Sequence, residues 1–332
     1  MNYFIKTYGC QMNQSDSSII EGLLNVAGMQ RVEEMNRADL ILVNTCSVRA
    51  HAEERAQGFV SALKKWKRER HGRVVSVVGC MAQRLGPELK KKFPWIDILV
   101  GPDNYQNIAG YVEETLKNGT GFADLELTNE LYGGLRPSAY RGVSSYVPIM
   151  RGCDNYCSFC VVPYLRGRAR SRDSNDILNE INLLVENGVK EVTLLGQNVN
   201  AYCTDGIDFA DLLERINRVK DLLRIRFLTS HPADMSEKIL TAVANLEKVC
   251  EYIHLPVQSA SNRILNLMNR RYSREKYKEI VEVARRRILN LALSTDVIVG
   301  FPTETETDFE ATKEFLTEIE FDFAYMFKYS PR

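Results

Sequence analysis

Residues 150–163, MRGCDNYCSFCVVP, set Cys153, Cys157 and Cys160 in a C-x3-C-x2-C spacing. A closed tetrahedral zinc site takes four protein ligands, and no nearby His or second Cys pair supplies the fourth. A disulfide would leave one cysteine over. Iron–sulfur chemistry fits better, because Cys thiolates hold such clusters. A 4Fe–4S cube held by only three of them leaves one iron open to a small molecule. Phe159, an aromatic directly before the last Cys, adds to the specificity of the pattern.

Three further cysteines stand in one recurring context. Cys10 (YGCQMN), Cys46 (NTCSVR) and Cys80 (VGCMAQR) each end an apolar run and precede a helical pattern. In an open parallel sheet the carboxyl ends of the strands line one edge, so these three are expected to meet although they are far apart in the chain. Helix N-terminal N–H groups there would favour thiolates and anionic sulfides. Any one alone reads as a small buried hydrophobe; the shared context points to a second three-cysteine cluster. Cys203 and Cys250 lack that context and are read as ordinary thiols.

The elements that must carry these residues alternate between strand and helix. NYFIKTY, DLILVNT, RVVSVVG and DILVG read as strands. Between them lie helices in DSSIIEGLLNVAG, RAHAEERAQGFVSALKKWKRER, PELKKKF and YQNIAGYVEETLKNG. This pattern predicts a doubly wound parallel-sheet α/β domain over 1–118. Residues 119–145 lose the rhythm and are expected to be a connector. From 146 to 332 six more strands, YVPIMRG, KEVTLLG, RIRFLTS, YIHLPVQ, LALSTDVIVG and FAYMFKYS, alternate with helices. They suggest an open (β/α)6 partial barrel, with its chemistry in the loops after the strands. The sequence stops at YSPR directly after the sixth strand, which suggests that a C-terminal portion is missing.

Composition limits the classes. The chain has 332 residues, 45% apolar and 26% charged, as in ordinary globular proteins. No apolar run reaches the roughly 20 residues of a membrane span. No secretory signal is visible at the start, so a cytoplasmic protein is expected. Eight cysteines in that setting point to metal or catalysis rather than disulfides. Lys plus Arg equals Asp plus Glu, at 43 each, so a nucleic-acid partner would have to be met by local basic patches.

The C-x3-C-x2-C loop resembles the signature of radical S-adenosylmethionine (SAM) enzymes, and its combination with TYGCQMN, NTCSVR and VVGCMAQR resembles the methylthiotransferases. CQMN with TCSVR is most like the branch acting on N6-dimethylallyladenosine in tRNA. Sister branches act on N6-threonylcarbamoyladenosine in tRNA or on an aspartate of a ribosomal protein. The resemblance implies two 4Fe–4S clusters, one on Cys153, Cys157 and Cys160 and one on Cys10, Cys46 and Cys80. It also implies two SAM molecules: one methylates sulfur at the second cluster, and the other gives a radical that removes hydrogen from carbon 2 of the adenine. The cofactor supplies the hard chemistry and the protein positions it. The resemblance also implies a third, tRNA-binding TRAM domain, which is expected to lie outside this sequence. The expected partners are tRNA and an electron donor such as flavodoxin or ferredoxin; the sulfur donor is open, and a monomer without membrane association is expected. A rival from another class is a zinc-bearing RNA-binding protein.

SAM contacts are expected from the loops after the barrel strands: Gly196, Gln197 and Asn198; Thr229 and Ser230; His254 and Gln258, with Ser259 beside it; Ser294 and Asp296, then Gly300. Gly196 would permit close backbone approach. In LRGRARSR, Arg166, Arg168, Arg170 and Arg172 alternate, and on a strand they would share one face. Guanidinium groups suit phosphate and carboxylate, so Arg168 is assigned to SAM, and Arg166 and Arg170 to the RNA. KKWKRER and RRR (285–287) read as solvated helix faces, and His51, His71 and His231 receive no role.

Overall fold

The central strands, buried along their whole length, decide how the N-terminal sheet is covered. The computed structural model of the chain describes residues 1–47, 50–128 and 142–331. Its first sheet has six strands, all paired in parallel. Their order is Gln30–Arg31, Asn2–Tyr8, Leu40–Thr45, Val74–Gly79, Ile98–Val100 and Phe122–Asp124. Successive strand residues point to opposite faces. Leu40 and Leu42 therefore join the core under helices Gln11–Val26 and Ile108–Asn118. Ile41 and Val43 join the core under Ala50–Arg68 and Cys80–Lys92. All four are fully buried, and each contributes about 1.5–3 kcal/mol of transfer free energy. A charge at any of them would break one layer. Strand order reverses between Asn2–Tyr8 and Leu40–Thr45, and the carboxyl side of such a switch point is where open α/β sheets hold ligands.

Local signals set most helix ends. Gly119, left-handed at φ 66°, caps Ile108–Asn118, as its position in the sequence predicts. One helix departs from expectation. PELKKKF alone reads as helical, but the helix begins at Cys80 and runs to Lys92, broken at Gly86 (φ 44°, ψ −127°). Pro87 lacks an N–H and bars its predecessor from helical backbone, so two helical pieces meet there. The expected connector also differs: Phe122–Asp124 within it adds the last strand of the sheet, and its residues 129–141 lie outside the described residues.

The second half forms the partial barrel. Its strands are Ser144–Pro148, Glu191–Leu195, Arg224–Phe227, Tyr252–His254, Ala292–Val299 and Phe323–Lys328. The first three pair side by side in parallel, and so do the last three, as two three-stranded sheets. The third strand meets the segment just before the fourth through an isolated parallel bridge between Ile225 and Val249 and through Cys250 N donating to Ile225 O at 3.0 Å. Among the described residues, no pairing closes the first strand onto the last. Helices Ser174–Glu186, Phe209–Asn217, Glu237–Asn245, Arg274–Arg287 and Glu306–Ile319 follow side-chain caps from Asp173, Asp208, Ser236, Ser273 and Thr305. Each cap is worth about 1 kcal/mol.

The chain divides into two compact units, Met1–Arg141 with Tyr164–Arg168, and Gly142–Pro163 with Ala169–Arg332. The five residues Tyr164–Arg168 thus leave the barrel unit just after the cysteine loop and belong to the N-terminal one. No described helix is long and apolar enough to cross a membrane.

Candidate functional site

In the N-terminal unit the three strand ends are knitted together by polar side chains. Asn13, in the first turn of Gln11–Val26, accepts from Cys10 N and from Cys10 Sγ, both at 3.3 Å. Its Nδ2 donates to Asn44 Oδ1 and Thr45 O, both at 3.1 Å. Asn44 Nδ2 returns a bond to Asn13 O at 2.8 Å, and Thr45 Oγ1 reaches Val78 O at 2.7 Å. Two glycines permit this approach. A Cβ on Gly9 would meet Cys46 Cβ at 2.8 Å, and one on Gly79, which sits at φ 92°, would meet Thr45 O at 2.6 Å. The thiols of Cys10 and Cys46 consequently hydrogen-bond each other, and this contact lowers the pKa of Cys10 to about 6. Cys80 is buried, which raises its pKa; Arg166 opposes the rise through its charge and a hydrogen bond. Arg166, 4% exposed, donates to fully buried Asp16 at 2.8 Å, which also accepts from Tyr105 Oη at 3.4 Å.

The loop of Cys153, Cys157 and Cys160 is held from outside its own strand. Gly152 N donates to Gln197 Oε1 at 2.6 Å. The segment following helix Asn262–Leu267 clamps the rest. Asn269 Nδ2 donates to Asn155 O (3.2 Å) and Tyr156 O (3.0 Å), and Arg271 binds Asn155 Oδ1. Ser158 bonds Met268 O and Leu267 O at 3.1 and 2.8 Å. Arg270, buried, donates to Cys157 Sγ at 3.3 Å, to Pro256 O at 3.0 Å and to Tyr272 Oη at 3.0 Å. Burial raises the Cys153 pKa and pushes that of Cys160 up to about 12. Among the described residues no three His, Cys, Asp or Glu side chains gather as a ligand set for a single metal ion.

Above the barrel strands, polar atoms of the loops point to a ligand. Asn198 Oδ1, Ser230 Oγ, His231 Nε2 and Gln258 Oε1 are buried with no hydrogen-bond partner among the described residues. Buried polar atoms in native proteins are ordinarily paired, so four orphans at strand carboxyl ends fit a polar cofactor. Thr229 and Gln258 both hold φ 66°, the kind of backbone strain that gathers at ligand sites. The remaining expected SAM residues are placed as follows. Gln197 is spent on the cysteine loop. Thr229 Oγ1 donates to Gly196 O at 2.6 Å, and the missing Cβ of Gly196 leaves room for Met150, whose Cγ would lie 2.5 Å from it. His254 bridges Ser294 Oγ (Nδ1, 2.8 Å) and Asp296 Oδ2 (Nε2, 3.4 Å). Arg168 is exposed in the Tyr164–Arg168 segment.

The arginine series does not form one strand face. Arg166 ends the short helix Val162–Arg166, Gly167 turns at φ 70°, and only Arg170 lies on a strand, Arg170–Ser171, paired to Met150–Arg151. The left-handed turn destroys the alternation. Arg166 faces Asp16 rather than solvent, and Arg172 is buried on Glu180 at 2.7 Å and Pro148 O at 2.7 Å.

The comparisons agree with this geometry. A model described as Radical SAM superfamily matches residues 147–316, and one described as Uncharacterized protein family UPF0004 matches residues 2–101. By fold, the chain is similar to the radical SAM methyltransferase TsrM of Kitasatospora setae (TM-score 0.70, 12% identity, 98% of this chain and 72% of that one). It is likewise similar to the cobalamin-dependent SAM radical enzyme OxsB (TM-score 0.69, 12% identity, 95% and 51%). A barrel unit with three cysteines in the loop after its first strand defines a radical SAM enzyme, a superfamily that uses SAM and a 4Fe–4S cluster. At 46% identity over 99% of this chain and 75% of its own length, the chain is similar to tRNA-2-methylthio-N(6)-dimethylallyladenosine synthase of Clostridium botulinum strain Loch Maree. The protein of the same name from Caldicellulosiruptor saccharolyticus is 47% identical over 99% and 71%. The chain belongs to this family of radical SAM tRNA methylthiotransferases.

Several supporting residues escape sequence reading. Arg270 and Asn269 lie more than a hundred positions from the loop they hold, with no motif to mark them. Asn44 is the exception: a polar residue inside the buried run LILVNT is itself a signal that a side chain must be paired there. His231, given no role from its spacing, is buried, and burial lowers its pKa to about 2, so it is neutral, with Nδ1 accepting from Ala233 N at 3.2 Å.

Proposed function

We propose that the protein transfers a methylthio group to carbon 2 of N6-dimethylallyladenosine beside the tRNA anticodon, using two SAM molecules and two 4Fe–4S clusters. When bound, these cofactors supply the radical and the sulfur carrier that an unreactive aryl C–H requires. What supports the reading is that Cys10, Cys46 and Cys80 each follow one of three adjacent parallel strands at the switch point of the N-terminal sheet, with Cys10 hydrogen-bonded to Cys46 and electrostatically coupled to Cys80. Cys10, Cys46 and Cys80 would hold the sulfur-carrying cluster, and Cys153, Cys157 and Cys160 the SAM cluster. Asn198, Ser230 and Gln258 would take the polar groups of SAM, and the His254–Ser294–Asp296 triple would shape the wall beside them. Arg170 and Arg168 are the candidates for phosphate or carboxylate, and tRNA and a low-potential electron donor are the partners.

The test is mass spectrometry of nucleosides from tRNA carrying dimethylallyladenosine, after anaerobic incubation with reconstituted protein, SAM and reductant. The methylthio nucleoside is expected. Modification of threonylcarbamoyladenosine alone would overturn the substrate. Protein that is colourless and iron-free after reconstitution, against the about eight irons of two filled cubes, would overturn the chemistry in favour of a zinc protein. Replacing Cys10, Cys46 and Cys80 by Ala should abolish methylthio transfer and leave SAM cleavage intact.

A further inference from the structure

Each cysteine trio has one buried arginine on one of its sulfurs, and the two arginines differ in how their charge is balanced. Arg166 touches Cys80 and is paired at 2.8 Å with Asp16, which is fully buried. The pair is neutral as a unit. Arg270 is 7% exposed and donates to Cys157 Sγ, to a carbonyl and to a phenol oxygen. Among the described residues no carboxylate forms an ion pair with it. Asp154, next to Cys153, is exposed, so water and salt screen its charge.

Resting on the two-cluster reading above, we propose that these arginines set the order in which the two clusters are reduced. The cluster on Cys153, Cys157 and Cys160 takes an electron readily, and the cluster on Cys10, Cys46 and Cys80 is left oxidised. The step is a one-electron change of a cube from the 2+ to the 1+ state, with a low-potential iron–sulfur or flavin protein as the reductant that is oxidised. No bond to the protein forms or breaks, and no proton moves. Reduction adds negative charge, so an unbalanced cation on a ligating sulfur favours it, and strongly so away from water. A cation cancelled by an adjacent buried carboxylate does so far less. The order suits the chemistry of each site: SAM is cleaved by a reduced cluster, whereas a sulfur anion is bound best by an oxidised, more positive one. Arg270 and Asp16 are positioning residues here, acting through Cys157 and through Arg166.

Full-length protein with Cys10, Cys46 and Cys80 replaced by Ala, or with Cys153, Cys157 and Cys160 replaced, isolates each cluster for a redox titration followed by electron paramagnetic resonance. The barrel cluster should have the higher midpoint. Arg270→Met should make its reduction at least tenfold less favourable, a fall of 59 mV for one electron. Arg270→Lys should retain most of the midpoint and shows whether a loss comes from charge or from folding. In the other protein Asp16→Asn should raise the midpoint by at least the same tenfold factor. The double variant Asp16→Asn, Arg166→Met should return it towards the starting value, which a purely structural role would not do. A reversed order of midpoints, or midpoints unmoved in Arg270→Met and Asp16→Asn, overturns this proposal while both clusters remain. A Cys153/Cys157/Cys160 variant that binds no iron overturns the two-cluster reading itself, and this proposal with it.

Discussion

Replacing Arg172 with Met should destabilise the barrel unit in a strongly pH-dependent way and leave SAM and tRNA affinity unchanged. Arg172 and Glu180 are 10% and 8% exposed and bridge at 2.7 Å, tying helix Ser174–Glu186 to Pro148 at the end of the first barrel strand. Burial already raises the Glu180 pKa, and Arg172 opposes that rise. Without the arginine the carboxyl must either stay charged and unpaired or take a proton. From an ordinary value of 4.5, protonation costs at most ~5 kcal/mol at pH 8 and ~0.7 kcal/mol at pH 5. The lost bond to Pro148 O adds about 1 kcal/mol at either pH. The sign follows from the raised folded-state value: the favourable protonated form is fully present below the unfolded pKa and is lost as pH rises. The gap between parent and variant should therefore be about 4–6 kcal/mol at pH 8 and about 2 kcal/mol at pH 5. Urea unfolding of cluster-free protein at both pH values, with hydrogen exchange of Ser174–Glu186 to localise the loss, measures it. An equal or larger gap at pH 5, or weakened ligand binding with unchanged stability, would refute the reasoning.

Three further outcomes are expected. Asn269 sits at φ 56°, so Asn269→Gly should lose only its bonds to the cysteine loop, about 1–2 kcal/mol. Asn269→Ala should lose about 1 kcal/mol more from left-handed strain, and equal urea midpoints would exclude that strain. Gly79→Ala, with its Cβ against Thr45 O, should displace Cys80 and cost about four irons, one cube, by iron analysis. In cluster-free protein at pH 7, iodoacetamide followed by peptide mass spectrometry should label Cys10 roughly 100-fold faster than Cys160: the thiolate advantage of about 10⁵ is partly offset by weaker nucleophilicity at lower pKa. Lowering the pH through about 6 should slow Cys10.

Much of the site could be read because its chemistry is local in sequence. C-x3-C-x2-C is contiguous, and Cys10, Cys46 and Cys80 are each announced by the apolar strand before them. The strand-end loops follow from the strand pattern, and Asn198 Oδ1, Ser230 Oγ and Gln258 Oε1 are buried there with no partner among the described residues. What escaped depends on tertiary approach. The clamp of Met268–Arg271 on the loop crosses more than a hundred residues, and Gly167 turned an apparent alternation of arginines into two unrelated buried ion pairs. The short strand Phe122–Asp124 gave no periodic signal, because three residues are too few to show one.

The Tyr164–Arg168 segment bears on whether the two units could ever be separated. A cut between residues 141 and 142 looks natural along the chain, yet it would strip the first unit of Arg166 and leave Asp16 as an uncompensated charge in its interior. Only a few residues of backbone link the last cysteine of one trio to the cation beside the other. The two halves are therefore not interchangeable modules. A swap of either between relatives would have to carry this segment, and the carboxylate that receives it, as one inherited piece.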